Sequence, residues 1–306
     1  MTTPARQRYT EFRKAQPRAP RLARRTVRTR GLEFAVFSSP LVEGLAPLLC
    51  VNGGLIYAHS LLWPALSPLS ARRQLILYDQ RGRGASQAPP AFQSSRIEYD
   101  AGDIAALREA LGIARWDILG HSWGGGIAML AAAKDPRGVR RLVLVDAVGP
   151  TSEWLPSLHS DALARLRGPE RDALAAIDPA SLLSGHPTLH AEYSRALYPA
   201  YFADHDYAAV FSPPREASAT GAAVAGRLRR EGYDWRSLLD AVTARTLVVH
   251  GLQDVLPPSL ARETAALILR AELALIDRAG HMPFWEQPAA FFDRVSAFLD
   301  DADRGA

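Results

Sequence analysis

The stretch Trp116-Asp117-Ile118-Leu119-Gly120-His121-Ser122-Trp123-Gly124-Gly125-Gly126 decides the fold of this chain. An apolar run meets a serine that has a glycine two residues away on either side. The continuation Ile127-Ala128-Met129-Leu130-Ala131-Ala132-Ala133 has helical character, with a first turn stripped of bulk. Glycines at these places let a sharp strand-to-helix turn form without side-chain collision, and such a turn pushes the serine hydroxyl out of the sheet. The pattern is G-x-S-x-G, a nucleophile elbow, and it makes Ser122 the candidate nucleophile.

The same arrangement, a chemically able residue just past an apolar run, recurs on both sides of the elbow. Upstream, Leu48-Leu49-Cys50-Val51 ends in Asn52-Gly53-Gly54; downstream, Thr246-Leu247-Val248-Val249-His250 leads through Gly251-Leu252-Gln253 to Asp254, and Leu273-Ala274-Leu275-Ile276 leads to Gly280-His281. A serine hydroxyl is a weak nucleophile at neutral pH and needs a base to take its proton. His281, in a loop bounded by Gly280 and Met282-Pro283, is the candidate base. His121 is expected to point away from the elbow, and His250 to be a packed, hydrogen-bonded core residue. The imidazole needs a carboxylate to hold its tautomer, and Asp254 is the candidate. Asp146, which ends Val143-Leu144-Val145, is the alternative. Backbone N–H groups of Trp123 and of Gly54, or of its neighbour Leu55, are the candidate oxyanion donors.

Short Leu- and Val-rich runs alternate with helical stretches, which predicts an α/β fold: a mostly parallel sheet with helices on both faces. Expected strands are 32–38, 48–51, 74–79, 116–119, 141–145, 245–250 and 272–276. Helical spacing covers 99–111, 260–269 and 288–299. The alternation breaks over 149–238, which has many helix formers and concentrates Trp154, Tyr193, Tyr198, Tyr201, Phe202, Tyr207 and Phe211. The expected organisation is a basic N-terminal extension (1–30), a core (31–148 and 239–306) and a helical cap (149–238). Most of the cap aromatics are expected in its own core and the rest over Ser122.

Composition narrows the function classes. The 306 residues carry a net charge of +4, but residues 1–30 alone carry +9, leaving the remainder at −5. The body therefore offers no nucleic-acid face, and the tail is expected to be a poorly ordered lead-in to the first strand. There is no apolar run of about 18 residues to span a membrane. There is no secretory signal pattern, and the single Cys50 suits a small core residue and a cytoplasmic location. His186 and His190 have metal-ligand spacing, but Pro187 argues against one continuous helix through both. No cofactor and no metal are expected, and the partner is a small-molecule substrate.

The order Ser, Asp, His, each after an apolar run, resembles that of the α/β-hydrolase serine enzymes over nearly all of 31–300. Val51-Asn52-Gly53-Gly54, Tyr78-Asp79-Gln80-Arg81-Gly82-Arg83-Gly84-Ala85-Ser86 and Ser122-Trp123-Gly124-Gly125 are similar to the proline-iminopeptidase branch. The resemblance implies an α/β-hydrolase fold with a helical cap insertion, and Ser122, Asp254 and His281 as nucleophile, acid and base. Asp79 and Arg81 are expected to bind backbone groups in a tight loop. The branch places carboxylates around a substrate's free amine, sometimes directly after the triad acid, where this chain has Val255. Glu192, Asp204, Asp206 and Glu216 do not align with that role. The sequence thus favours cleavage of a carboxylic ester, lactone or amide over aminopeptidase action. Perhydrolysis, C–C hydrolysis and lyase chemistry are further alternatives on the same triad.

Overall fold

The computed structural model describes residues 4–300; residues 1–3 of the expected extension and 301–306 of the expected core lie outside the described residues. Eight strands form one sheet: β1 (Ala23–Thr29), β2 (Leu32–Ser38), β3 (Leu48–Val51), β4 (Leu75–Tyr78), β5 (Trp116–His121), β6 (Val139–Val145), β7 (Arg245–Gly251) and β8 (Ala271–Ile276). Their spatial order is β1-β2-β4-β3-β5-β6-β7-β8. β2 is antiparallel to both its neighbours, and the pairs from β4 to β8 are parallel.

Helix α1 (Pro4–Ala15) precedes the sheet, and α2 (Ile97–Ala110) and α3 (Trp123–Lys134) flank β5. Between β6 and β7 lie α4 (Leu158–Arg165), α5 (Gly168–Ala175), α6 (Pro187–Leu197), α7 (His205–Ala208), α8 (Ala219–Glu231) and α9 (Arg236–Leu239). Then α10 (Pro258–Leu267) links β7 to β8, and α11 (Pro283–Glu286) and α12 (Pro288–Asp300) follow β8. The insertion between β6 and β7 adds no strand to the sheet. One bridge, Thr151 to Asp234, ties its two ends together.

The central strands read as unbroken apolar runs because both their faces are covered. Leu49, Val51, Ile76 and Ile118 pack with Ile104, Leu107 and Leu130 of α2 and α3. Their neighbours Leu48, Cys50, Leu77 and Leu119 point the other way, toward Phe291, Val295 and Phe298 of α12. Burying each such side chain contributes about 1.5–3 kcal/mol. Cys50 is one of these core residues, and burial pushes its thiol pKa up.

Two expectations need correction. The N-terminal segment is not a loose lead-in. Ala5, Tyr9 and Phe12 lie on one face of α1; Tyr9 meets Phe211 edge to face at 5.3 Å, and Phe12 stacks on Phe292 at 5.6 Å. The Tyr207 hydroxyl donates to the Ala5 carbonyl. The Arg-rich stretch after α1 forms β1, paired with β2 through a two-residue loop, Arg30-Gly31, with φ of 50° and 74°. That left-handed pair is the hairpin geometry that matches strand twist. Apart from Val27, β1 buries no residue, so it carries no hydrophobic signal.

The second correction concerns the loop after β4. Asp79 does bind backbone, accepting from the N–H groups of Ala85 (2.8 Å) and His59 (2.9 Å). Arg81 instead forks onto the carboxylate of Asp103, with Nε to Oδ2 at 2.7 Å. Arg83 takes the backbone role: it donates to the carbonyls of Leu55 (2.7 Å) and Arg81 (2.8 Å) while pairing with Asp100 (2.8 Å). Gln80 Nε2 donates to Asn52 O at 2.8 Å, so this loop clamps the loop that follows β3.

Arg83 and Asp100 are both fully buried, and burial pushes the Asp100 pKa up to about 6 against the pull of Arg83. Arg83→Met would strand a buried carboxylate and is expected to cost about 3–5 kcal/mol in urea unfolding. A loss near zero would mean that the clamp carries no stability.

Candidate active site

Ser122 follows the last residue of β5 with φ 56° and ψ −124°, a backbone region that non-glycine residues rarely adopt. Its N–H donates to Val145 O at 3.0 Å, and its carbonyl accepts from the N–H groups of Gly125 (2.9 Å) and Val148 (3.3 Å). Two glycines are required here by close approach. A Cβ on Gly124 would stand 2.1 Å from Val51 O, and one on Gly53 would stand 2.6 Å from Ser122 Cβ. The loop after β3 thus presses directly against the serine.

His281 lies in the turn between β8 and α11. Its Nδ1 donates to Asp254 Oδ2 at 2.8 Å, which leaves Nε2 free to exchange a proton. Asp254 Oδ1 accepts from the Leu256 N–H at 3.1 Å. Burial raises the Asp254 pKa, but the charge and hydrogen bond of His281 outweigh it and hold the group below the usual carboxylate range. Both backbone groups of His281 are tied as well. Its N–H donates to Tyr201 O at 2.7 Å, and its carbonyl accepts from His121 Nε2 at 2.8 Å. The Tyr201 ring stacks on the imidazole at 4.4 Å.

Ser122 and His281 line one cavity, together with Gly54, Leu55 and Trp123. No hydrogen bond joins the Ser122 hydroxyl to the His281 ring in this conformation; such contacts often tighten only around substrate. Among the described residues, the N–H groups of Gly54, Leu55 and Trp123 donate to no protein acceptor. The cavity measures about 50 Å³, room for roughly three or four water molecules. Of the aromatics in the helical insertion, Tyr193, Tyr198 and Tyr201 line it. Trp154, Phe202 and Tyr207 are buried and do not line it.

Asp146, the alternative acid, is fully buried beside Asp254. Its Oδ1 accepts from the Gly251 N–H at 2.8 Å, and the imidazole hydrogen bond goes to Asp254. Burial, and then the Asp254 charge, push the Asp146 pKa well up. Asp146, Asp254 and His281 approach within 4.8 Å, close enough to suggest a metal cluster. The 2.8 Å separation of Nδ1 and Oδ2 is a hydrogen-bond distance. Two ligands bound about 2.0 Å from one tetrahedral ion would stand roughly 3.3 Å apart. His186 sits exposed at the start of α6, whereas His190 is buried with Nε2 on Leu182 O, so the two do not converge.

The two histidines nearest the Asp254–His281 pair, His250 and His121, make fixed hydrogen bonds of their own. His250 Nε2 donates to Leu256 O at 2.9 Å. His121 was expected to point away from the elbow, yet it lines the cavity beside His281. Burial and the neighbouring His281 push it down to about 3, so it is neutral and serves as a donor that fixes the His281 loop.

Sequence reasoning missed Glu286. Its Oε1 accepts from the N–H groups of Ala203 (2.8 Å) and Asp204 (3.0 Å), and its Oε2 from that of Gly280 (2.7 Å). One carboxyl group thus joins the His281 loop to the helical insertion. The signal available was an acid in the short apolar helix just after His281. Burial pushes its pKa up to about 7 against the pull of the three N–H groups. The ordinary value is about 4.3, so the folded state holds this proton more tightly. The stabilisation is complete below the unfolded value and is lost as pH rises through about 7. Between pH 5 and 8, wild type is expected to lose melting temperature relative to Glu286→Gln. Parallel curves would refute the assignment.

Comparison with known proteins agrees with this architecture. A family model described as the α/β hydrolase fold matches residues 46–288. The 2-hydroxymuconate semialdehyde hydrolase of Pseudomonas sp. (strain CF600) is 30% identical over 251 residues, covering 80% of this chain and 83% of its own. A proline iminopeptidase of Lactobacillus delbrueckii subsp. bulgaricus is 26% identical, covering 84% and 91%. The crystal structure of a proline iminopeptidase from Mycobacterium smegmatis superposes with a TM-score of 0.68 at 22% identity, covering 92% of this chain and 99% of its own. With the sheet order, the elbow and the family match in agreement, this chain belongs to the α/β hydrolase fold family.

Proposed function

We propose that this protein is a serine hydrolase that cleaves a carboxylic ester, lactone or amide bond of a small substrate through an acyl-enzyme. The observation that carries the proposal is the convergence on one cavity of a serine on a strained elbow and a histidine whose Nδ1 is held by a buried carboxylate. Ser122 Oγ attacks the carbonyl carbon as His281 Nε2 takes its proton. The oxyanion is held by the N–H groups of Trp123 and of Gly54 or Leu55. His281 returns the proton to the leaving oxygen or nitrogen as the C–O or C–N bond breaks. Water, deprotonated by His281, then attacks the acyl carbon; the bond to Ser122 Oγ breaks, His281 returns the proton to that oxygen, and the acid leaves. Asp254 keeps the imidazole in the Nδ1–H tautomer and stabilises its cation. In this proposal the helical segment 149–238 is the cap that closes the cavity over Ser122.

The named relatives include peptide- and carbon–carbon-bond hydrolases, so the bond cleaved is the open choice. An aminopeptidase needs a carboxylate to hold the substrate's free amine. The charged side chain that lines the cavity is Arg229, and none of Glu192, Asp204, Asp206 or Glu216 lines it. Asp204 caps α7, and Glu216 is held by the Ala58 N–H and the Ser60 hydroxyl. These features favour ester or lactone cleavage over aminopeptidase action.

Ser122→Ala is expected to lower turnover of 4-nitrophenyl acetate or butyrate by at least about 10³-fold, in line with removal of a triad nucleophile elsewhere. A fluorophosphonate probe should label Ser122 in the wild type. Full activity in the variant, or labelling of another residue, would overturn the proposal. With prolyl and alanyl 4-nitroanilides, kcat/KM is expected to fall below that for the butyrate ester. Faster cleavage of the anilides would restore the aminopeptidase assignment.

A further inference from the structure

We infer that the cavity over Ser122 recognises substrates that carry their own carboxylate, and that Arg229 is the residue that binds it. This rests on the hydrolase proposal above and deepens it. Arg229 lies on α8, one turn after Ala225, and both line the cavity with Ser122 and His281. Its guanidinium sits over the ring of Tyr193, 5.5 Å from the centroid, on the facing helix α6. Arg229 is half-buried, and among the described residues no carboxylate lies within 4.0 Å of it, whereas the buried Arg73 and Arg83 pair with Asp117 and Asp100.

A half-buried guanidinium without an anion is costly, and arginine cannot shed the charge by losing its proton. Burial does pull its pKa down, and tyrosines alone oppose that pull. The neighbouring histidine does not supply an anion either. His190 is pushed down to about 4 by burial and by Arg229, so it is neutral, with Nε2 on Leu182 O. The positive charge is therefore left for an occupant of the cavity to neutralise. A carboxylate offers two oxygens in the plane and spacing that the guanidinium fork matches.

The helix that carries Arg229 is built against the oxyanion loop. At its start, the Ser218 hydroxyl donates to Gly82 O at 2.7 Å and accepts from the Gly221 N–H at 2.9 Å. Gly221 packs so closely that a Cβ there would stand 2.1 Å from Leu55 O. The position of Arg229 is thus referenced to the same loop as the candidate oxyanion donors. A free amine would meet like charge in this cavity, and a purely apolar acyl group would leave the guanidinium unpaired.

The test pairs acidic esters with neutral isosteres: 4-nitrophenyl hydrogen glutarate against 4-nitrophenyl pentanoate, and 3-acetoxybenzoate against phenyl acetate. In wild type, one acidic ester should exceed its neutral partner in kcat/KM by roughly 10- to 100-fold, the range for a charge-assisted hydrogen bond. Arg229→Gln should collapse that ratio toward one, and Arg229→Lys should retain part of it. A ratio of one in wild type, or a ratio unchanged by Arg229→Gln whether or not both rates fall, would overturn the inference. Calorimetric binding of glutarate against glutaramide separates the two proposals. If no ester is cleaved but glutarate binds wild type and not Arg229→Gln, the hydrolase assignment fails and the anion site stands. Cleavage of neutral esters with no glutarate binding and no ratio effect has the opposite meaning.

Discussion

The left-handed backbone of Ser122 persists because the chain around it permits no alternative. A residue with a side chain at φ 56° stores strain, and the structure holds it from three directions. Val145 at the end of β6 accepts its N–H, the first turn of α3 donates to its carbonyl, and Gly53 lies against its Cβ. The last contact makes the loop after β3 and the candidate nucleophile one packing unit. Arg83, Gln80 and Asn52 then fix that loop through the carbonyls of Leu55, Asn52 and Tyr57. The buried Arg83–Asp100 pair is therefore a long-range support for the geometry at Ser122.

On the other side of the cavity, His281 is tied by more than Asp254. Its backbone N–H reaches the helical insertion at Tyr201, its carbonyl reaches His121 on β5, and Glu286 joins the adjacent Gly280 to Ala203 and Asp204. A movement of residues 200–204 would consequently be felt at the imidazole. Tyr201, whose carbonyl accepts the His281 N–H, also lines the cavity. The lining of the cavity and the positioning of the histidine thus share Tyr201, and Glu286 braces the same segment.

Much of the architecture was legible because its physics is local. A strand covered on both faces reads as an apolar run, so the seven strands from 32 onward could be expected close to where they lie. The elbow was legible because G-x-S-x-G is a steric requirement of one turn, visible in contiguous residues. β1 was not, since an exposed edge strand rich in arginine carries pairing information and no burial pattern. The backbone role expected of Arg81 falls to Arg83 for a related reason. Two arginines two positions apart are chemically alike, and the positions of Asp100 and Asp103 on α2 decide which one turns to the backbone.

The sequence by itself determined the α/β character, the turn at Ser122 and the order of the three candidate site residues, because each depends on neighbours within a few positions. Tertiary structure decided which of two buried carboxyls meets His281, that His121 holds its loop, and that Arg229 faces the cavity without an acid. Those outcomes depend on distances between segments tens to hundreds of residues apart, and on which charge of a buried pair is better compensated. Only the folded packing fixes these quantities.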